Sequence, residues 1–580
     1  MAGEFPDHWL QPFVEEVVSR VAIDEKSTIA TLATGKTPSG HVHLGILREI
    51  IICDALKRKL EGVGQEVRFF LFFDSMDAAK RFPSYVPGSF SREHLGKPFS
   101  RMPAPFDDDP GAASYAEYFG RELAGTFEEF GIDVTVRWSH QLYESPEMQE
   151  MVATGLTKVD DVKRIIREHV LPTLDEAARH KFLEGQKTWM PAMVVCEECE
   201  RTQTRDERGN IVPNRVQSFE PEAGTVAYRC PACGHEGEVP VASGRVKLNW
   251  RLDWPAKWAL FRTTLEPAGK DHAVKGGSYD TGLALCREIY GYEGPIKLPY
   301  EWMRLGNRDM STSGGVVFTP KTYLTMGHPE LVRMKVLRTN PNKHISFRVE
   351  ELPLAYDEYE RMERIYYGLE RVDSEEELRE VRYVYPLCRV ERGSPPARLT
   401  RKWLPFRYAM LAAQLESLLG WEKTYDKCVQ VMKKLEYARV LTPQEVRSDL
   451  DKALAWLAEI RRMVDATSDP AEKRQLAKHA TFVDVPDVVD GRLAGQLSDE
   501  QRSALRGLVN ALEGDQWEDE DRLQNLVFEV ARNNGVKPRQ LFQAVYLGLL
   551  GKKMGPRLGP LLVALEKQWV LDRLRAMSEG

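Results

Sequence analysis

Two stretches of this sequence set reactive side chains at spacings that chemistry uses. In "TGKTPSGHVHLG", residues 34–45, two histidines stand two apart among four glycine or proline residues. Gly40 and Gly45 let the backbone come close to a ligand. A helix beginning near Leu44 would point its unpaired N–H groups at that ligand. His41 and His43 fall on one side of an extended turn, so both could reach one anion, and an imidazole beside a helix start suits a polyphosphate. The competing reading is a tight turn with surface histidines. A P-loop is excluded, because the glycine it needs five residues before Gly35 is Ala30, and Pro38 stops a helix from following directly.

The second stretch pairs "CEEC", Cys196 to Cys199, with "CPAC", Cys230 to Cys233, thirty residues apart. Two CxxC pairs can bring four thiolates to one tetrahedral Zn²⁺. Such a closed site is structural, because no position is left for water. Turn signals in the spacer, "RDERGN" and "EPEAGT", predict the hairpins of a ribbon-like knob. His235 stands close enough to compete as a ligand. The other cysteines, Cys53, Cys286, Cys388 and Cys428, are scattered, which fits a reducing compartment better than a disulfide framework.

The elements that position the first stretch read as a strand–helix–strand unit. "STIATLAT" and "EVRFFLFF" are buried strands flanking the helical pattern of "LGILREIIICDALKRKLEG". Such a unit belongs to a doubly wound parallel sheet, whose ligands bind beyond the carboxyl ends of the strands. The segment from Asp77 to Asp109, rich in Pro, Gly and Ser, reads as an irregular insertion. After Pro329 strand signals become sparse and helical periodicity dominates, with two "GP" turns expected to break the last helices. The predicted fold class is α/β, a Rossmann-type doubly wound parallel-sheet domain with a zinc-knob insertion, followed by an all-α C-terminal region. The expected boundaries are 1–328 for the first domain, with the insertion over about 77–190 and the knob over about 191–243. A helical stem follows over 329–400 and a further helical domain over 401–580.

The chain has 580 residues, 42% hydrophobic and 29% charged, with a formal charge of −7. That length implies several domains, since single cores stop growing near ~250–300 residues. The net charge excludes a globally basic nucleic-acid binder, so any such surface must be a local patch. The acidic N-terminus is not a secretory signal and no apolar stretch is long enough to cross a bilayer, so a cytoplasmic location without a membrane partner is expected.

"TPSGHVHLG" resembles the first signature of class I aminoacyl-tRNA synthetases, with His43-Leu44-Gly45-Ile46 at its core and Pro38-Ser39-Gly40 as its approach. "KLNWRLDWPAKWALF", "EPAGKDHAVKGGSYDTG", "PYEWMRL", "LRTNPNKHISF", "YDEYER" and "KKMGPRLGP" narrow the likeness to class I lysyl-tRNA synthetases, essentially from end to end. The resemblance implies ATP-dependent activation of lysine and its transfer to the 2′-hydroxyl of the terminal adenosine of tRNA(Lys), with 1–328 as the catalytic domain and 401–580 as the α-helical anticodon-binding domain. Mg²⁺ would accompany ATP, and a monomer is expected. It implies ATP contacts at Pro38, Ser39, Gly40, His43, Gly45, Met310, Ser311 and Ser313, and lysine contacts at Gly35, Thr37, Trp250, His272 and Tyr300. The aromatic faces suit an ammonium and an apolar stem. A selective cation site also needs a carboxylate; Asp74 is chosen, with Asp77, Asp271 and Asp280 as rivals.

The chain departs from that pattern in two places. Ile46 stands where the first signature carries a polar residue, with His41 as a substitute. In the second, "KMSKS"-like signature, "DMSTSGG", Asp309 and Gly314 occupy the two lysine positions. Preorganised charge in a transition state contributes ~3–4 kcal/mol per group, so the loss matters. Arg308, Arg304 or Mg²⁺ could replace it, and the catalytic set expected is His43, His41, Arg308, Ser311 and Ser313. The alternatives are a paralogue that binds lysine or tRNA without activation, or an enzyme that charges a non-tRNA acceptor. "RLTRKW", Arg398 to Trp403, and "KKMGPR", Lys552 to Arg557, are candidate phosphate contacts for tRNA.

Overall fold

A computed structural model describes residues 8–306, 308–310, 317–480, 482–483, 491–517 and 519–579. The chain forms two compact units. The first comprises Met1–Tyr323, His328–Phe347 and Arg371–Pro395; the second comprises Leu324–Gly327, Arg348–Glu370 and Pro396–Gly580.

The first unit is built on a five-stranded sheet of β1 (Ala30–Lys36), β2 (Val67–Phe73), β3 (Thr135–Trp138), β4 (Leu265–Gly269) and β5 (Ile296–Tyr300). All pairings are parallel, and the strand order is β5-β4-β1-β2-β3. β1 and β2 are buried along most of their length, because both sheet faces are covered. The connections run outward from β1 on one side and return on the other, which opens a crevice above the carboxyl ends of β1 and β4.

The crossover helix α1 (Leu47–Gly62) follows a short 3₁₀ turn, Leu44–Ile46. It is buried on nearly every side, including charged positions, and each buried charge has partners. Arg48 donates to the carbonyls of Pro341 at 3.1 Å and Lys343 at 2.8 Å, and Asp54 accepts from Arg333 at 2.6 Å and Arg58 at 2.8 Å. Helix α2 (Trp250–Phe261) is tied to β4 through Glu266, whose carboxylate accepts from the indoles of Trp254 at 2.8 Å and Trp258 at 2.7 Å. Helix α3 (Ser278–Tyr290) packs on α2 at Gly282, where a Cβ would come within 2.8 Å of the Trp258 ring.

The stretch 77–190 is not wholly an insertion. β3 lies inside it as the edge strand of the main sheet, pairing from Phe70↔Thr135 to Phe73↔Trp138. Four residues of alternating exposure carry too little apolar pattern to announce such a strand. The knob is clamped at its base by the antiparallel pair Ala192–Val194 and Val246–Leu248. It holds the expected ribbons: a hairpin of Gln203–Arg205 with Ile211–Pro213, and a meander of Arg215–Glu220, Thr225–Arg229 and Glu236–Pro240.

The second unit is helical throughout its described residues, apart from turns. Its helices include Leu352–Tyr366, Phe406–Leu419, Trp421–Lys434, Pro443–Ala466, Asp499–Glu513, Glu520–Asn533, Pro538–Leu550 and Lys567–Glu579. Capping boxes start two of them, Thr442 with Glu445 and Ser498 with Gln501, each satisfying two orphan N–H groups. Leu505, Leu508, Leu512, Leu541, Val545 and Leu574 are fully buried in its core. The first "GP", Gly555-Pro556, does separate two helices. The second, Gly559-Pro560, lies inside the first turn of Leu558–Ala564, because proline is tolerated where the N–H has no helical partner. No helix among the described residues is long and apolar enough to cross a membrane.

Candidate active site and thiolate centre

The crevice above β1 and β4 opens into a cavity of about 780 Å³. Its walls come from the ends of β1, β2, β4 and β5, the turn before α1, and the first turns of α2. Gly35, Thr37, Ser39, His43, Gly45, Asp74, Trp250, His272, Tyr300 and Met310 all line it, so the structure brings these expected residues together from distant parts of the chain.

One half of the cavity is acidic and fully cross-linked. Lys257 of α2 donates to Asp74 Oδ1 at 2.7 Å, Asp253 Oδ2 at 2.8 Å and Ser139 at 3.2 Å. Lys247 donates to Asp77 at 2.6 Å, and the Thr37 hydroxyl holds the other Asp77 oxygen at 2.8 Å. Tyr143 donates to Asp253 at 2.6 Å. Burial works against the Lys257 ammonium, yet Asp253 and Asp74 outweigh it and hold its proton more tightly than usual. Burial likewise opposes the Asp77 charge, and Lys247 and Thr37 overcome it. Three acids thus face two ammoniums, and burial pushes the Asp74 carboxyl up while Lys257 pulls it down, so a further cation at Asp74 would favour its ionised form.

The open valence of that cluster is Asp74 Oδ2, which takes no hydrogen bond among the described residues and faces Gly35. A Cβ at Gly35 would stand 3.7 Å from it, an ordinary contact. Glycine here is therefore not demanded by packing; it keeps the path to Asp74 clear. Among the rivals, Asp77 has both oxygens engaged, and Asp280 is paired with Lys297 at 2.6 Å and does not line the cavity. Asp271 lines the cavity and is exposed to solvent.

Trp250 is 41% exposed at the mouth. The His272 ring stands edge-on to it at 6.0 Å, and Ser278 holds His272 Nδ1 at 2.8 Å.

The other half of the cavity lies against α1. His43 reaches it, and Gly45 is required beside it, since a Cβ there would fall 2.9 Å from His43 Nδ1. Burial pulls the His43 pKa down to about 3, with Lys36 adding to the effect, so the imidazole is neutral and can offer a hydrogen bond but no charge. Tyr300 donates to Glu49, and burial raises the Glu49 carboxyl toward its neutral form.

Several expectations need correction. His41 does not share an anion with His43. Its Nδ1 is held by Glu122 at 2.8 Å, and its ring packs near Tyr85 and Phe119, away from the cavity. The chain bends through Ser39, Gly40 and His41, so the two-residue period of an extended segment, which would have set His41 and His43 on one side, does not hold there. Pro38 and Gly40 are buried and shape the turn without lining the cavity. One N–H at the helix start is also consumed, because Leu44 donates to the Phe318 carbonyl at 2.7 Å. Ser311 and Ser313 lie outside the described residues, as does the side chain of Arg308, whose backbone pairs with Leu305 in a short hairpin.

Sequence reasoning missed Lys36, Glu49, Lys247, Asp253, Lys257 and Glu266, charged side chains in or beside the cavity. The signal available was the i, i+4 spacing of Asp253 and Lys257 on one helix face. Glu266, buried among indoles, has its pKa raised to about 7 by burial.

In the knob, the Sγ atoms of Cys196, Cys199, Cys230 and Cys233 all lie within 4.8 Å of one another. Cys196 to Cys233 is 3.7 Å and Cys199 to Cys230 is 3.6 Å. A tetrahedron with ~2.3 Å metal–sulfur bonds has edges of about 3.8 Å, so these thiols fit one ion. The two pairs sit on matching turns: Glu200 N–H donates to the Cys196 carbonyl at 3.0 Å and Gly234 N–H to that of Cys230 at 2.9 Å. Both turns end in the left-handed region, at φ 58° for Glu200 and 79° for Gly234. His235 is not part of the cluster.

The family model described as tRNA synthetases class I (K) matches residues 7–391, and that of an anticodon binding domain matches residues 438–578. The curated lysine–tRNA ligase of Methanocaldococcus jannaschii is 30% identical over 579 residues, covering 98% of this chain and 99% of its own. Lysine–tRNA ligase 1 of Methanosarcina acetivorans is 32% identical over 588 residues, covering 98% of each chain. A solved glutamate tRNA ligase from Elizabethkingia meningosepticum aligns with 95% of this chain and 99% of that chain, at 13% identity and a TM-score of 0.39. With a family match spanning the whole parallel-sheet unit and relatives matching from end to end, the chain belongs to the class I (K) tRNA synthetases.

Proposed function

We propose that the protein is a lysine–tRNA ligase that activates lysine with ATP and transfers it to the 2′-hydroxyl of the terminal adenosine of tRNA(Lys). The observation that carries this reading is Asp74 Oδ2, an open carboxyl oxygen in a cluster of three acids and two ammoniums, reached past Gly35. A substrate ammonium at Asp74 completes the charge balance that Lys247 and Lys257 leave one short. Trp250, His272 and Tyr300 flank the amino acid, and aromatic faces contribute roughly 0.5–2 kcal/mol per cation contact.

ATP lies across the His43 turn, where Ser39, Gly45 and Met310 line the wall. The lysine carboxylate attacks the α-phosphorus in line, and pyrophosphate departs. Positioning and charge neutralisation carry such displacements, so no protein nucleophile is needed. Neutral His43 donates a hydrogen bond to a phosphate oxygen. Ser311, Ser313 and Arg308 complete the phosphate contacts, and Mg²⁺ accompanies the nucleotide.

The thiolate cluster holds Zn²⁺ as a structural ion, since four sulfurs leave no open coordination position. The helical unit binds tRNA, with Lys552 and Lys553 exposed in the Gly551 to Arg557 turn and Arg398 exposed ahead of Phe406–Leu419. The catalytic domain spans 1–328, the stem 329–400 and the anticodon-binding domain 401–580; the cytoplasm is the site of action, and the working form is a monomer.

The test is lysine-dependent ATP–pyrophosphate exchange, with and without tRNA, followed by charging of tRNA(Lys) with labelled lysine. Exchange and charging with lysine above other amino acids are expected. Lysine or tRNA binding without exchange, or transfer to another acceptor, would overturn the reading.

A further inference from the structure

Lys36 closes β1 and lines the cavity. Its neighbours along the strand face the acidic half: Gly35 stands over Asp74, and Thr37 donates to Asp77. Alternation therefore turns Lys36 to the opposite half, where its electrostatic neighbours are Glu49 and His43. Among the described residues its ammonium makes no ion pair or hydrogen bond, in contrast to Lys257, the other lysine that lines the cavity, and to Lys247 and Lys270 near it. Lys247 and Lys257 are bound by aspartates, and Lys270 at the rim is paired with Glu301 at 2.8 Å. Glu49 does not serve as a full counter-charge, because Tyr300 occupies it and burial favours its protonated form. The His43 half thus contains a neutral imidazole, an acid that Tyr300 engages and burial pushes up, and one lysine without a bonded partner. Such an arrangement leaves room for an anion.

We propose that the Lys36 ammonium binds the phosphates of ATP and supplies charge that the signature loop, with Asp309 and Gly314 at its lysine positions, does not carry. The step it serves is the one in which a lysine carboxylate oxygen bonds to the α-phosphorus and the bond to the α–β bridging oxygen breaks. The electron pair leaves with pyrophosphate, and Lys36 neutralises the charge that builds on the phosphate oxygens. Burial, which lowers the affinity of Lys36 for its proton in the empty site, strengthens its attraction for the anion once bound. This inference rests on the ligase reading above.

The test compares full-length Lys36→Met and Lys36→Arg with the wild type. Exchange turnover, calorimetric affinity for a non-hydrolysable ATP analogue, lysine affinity and the denaturation midpoint are measured for each. Lys36→Met is expected to lower exchange turnover by ~10²–10³-fold and to weaken the ATP analogue at least tenfold. Lysine affinity should stay within threefold, and Lys36→Arg should recover at least tenfold of the lost turnover. If Lys36→Met does not fold, Lys36→Gln is read by the same criteria. Exchange within threefold of wild type in Lys36→Met would overturn the proposal, as would a loss of lysine affinity with the ATP analogue unaffected. A wild type that shows no lysine-dependent exchange would sink the ligase reading instead, and the ATP-analogue measurement still judges Lys36 by itself.

Discussion

The thiolate knob and the cavity both concentrate reactive groups, but they assemble them in opposite ways. In the knob, four identical ligands come from two tetrapeptides, and each turn is closed by its own backbone hydrogen bond. In the cavity, charges of opposite sign come from separate elements; Lys257 and Asp74 meet across 183 residues of sequence, and Lys247 and Asp77 across 170. A local site can be lost without disturbing its surroundings. A distributed one carries its charge balance through the fold, and removing one member leaves the others buried and unpaired.

The largest expected effect follows from that balance. Lys257→Met leaves Asp74 and Asp253 facing each other without a cation, a break of a buried ion pair worth about 3–5 kcal/mol. The denaturant midpoint should fall accordingly, with the slope of the transition unchanged. A variant as stable as wild type would mean that the cluster is solvated and not interlocked.

Cys199→Ser should act only within the knob. Metal content by mass spectrometry should fall from one ion per chain to none, and proteolysis should appear in the hairpins between Gln203 and Pro213. Lysine affinity should stay within about threefold. Loss of lysine binding together with the metal would erase the distinction between the two regions.

Trp250→Ala probes the rim of the cavity. Because the indole is 41% exposed, folding should be unaffected, while lysine affinity measured by calorimetry should drop by roughly 0.5–2 kcal/mol. A lowered midpoint would show Trp250 to be a packing residue.

The smallest effect on activity concerns pH. The folded His43 pKa of about 3 lies below its unfolded value, so folded His43 stays neutral as pH falls while the unfolded chain takes up a proton. Its contribution to stability is therefore present above about pH 6.5 and is lost progressively toward pH 3. The exchange rate should show no step near pH 6.5 that His43→Asn abolishes; such a step would mean that the imidazole carries charge during the reaction.

What could be read in the sequence follows the same divide. The strand–helix–strand unit around the first signature was legible because apolar runs and helical periodicity are local patterns, and the four cysteines were legible because their spacing is a ligand geometry. The pairing of Lys257 with Asp74 was not, because side chains on different elements meet only once the sheet order β5-β4-β1-β2-β3 is known. The choice of Asp74 over Asp77 needed the hydrogen bonds that occupy both oxygens of Asp77 and one of Asp74. His41 misled because its type and spacing suggested a phosphate contact, while its position on the turn gives it to Glu122.

If the open carboxyl oxygen beside Gly35 receives the side-chain ammonium of lysine, that terminal charge must carry much of the ligand's affinity. Calorimetric titration with lysine and with norleucine, which keeps the carbon stem and replaces the terminal ammonium with hydrogen, tests it most directly. Norleucine is expected to bind at least ~100-fold more weakly, because the buried acid is left without its partner. Equal affinity for the two amino acids would contradict it.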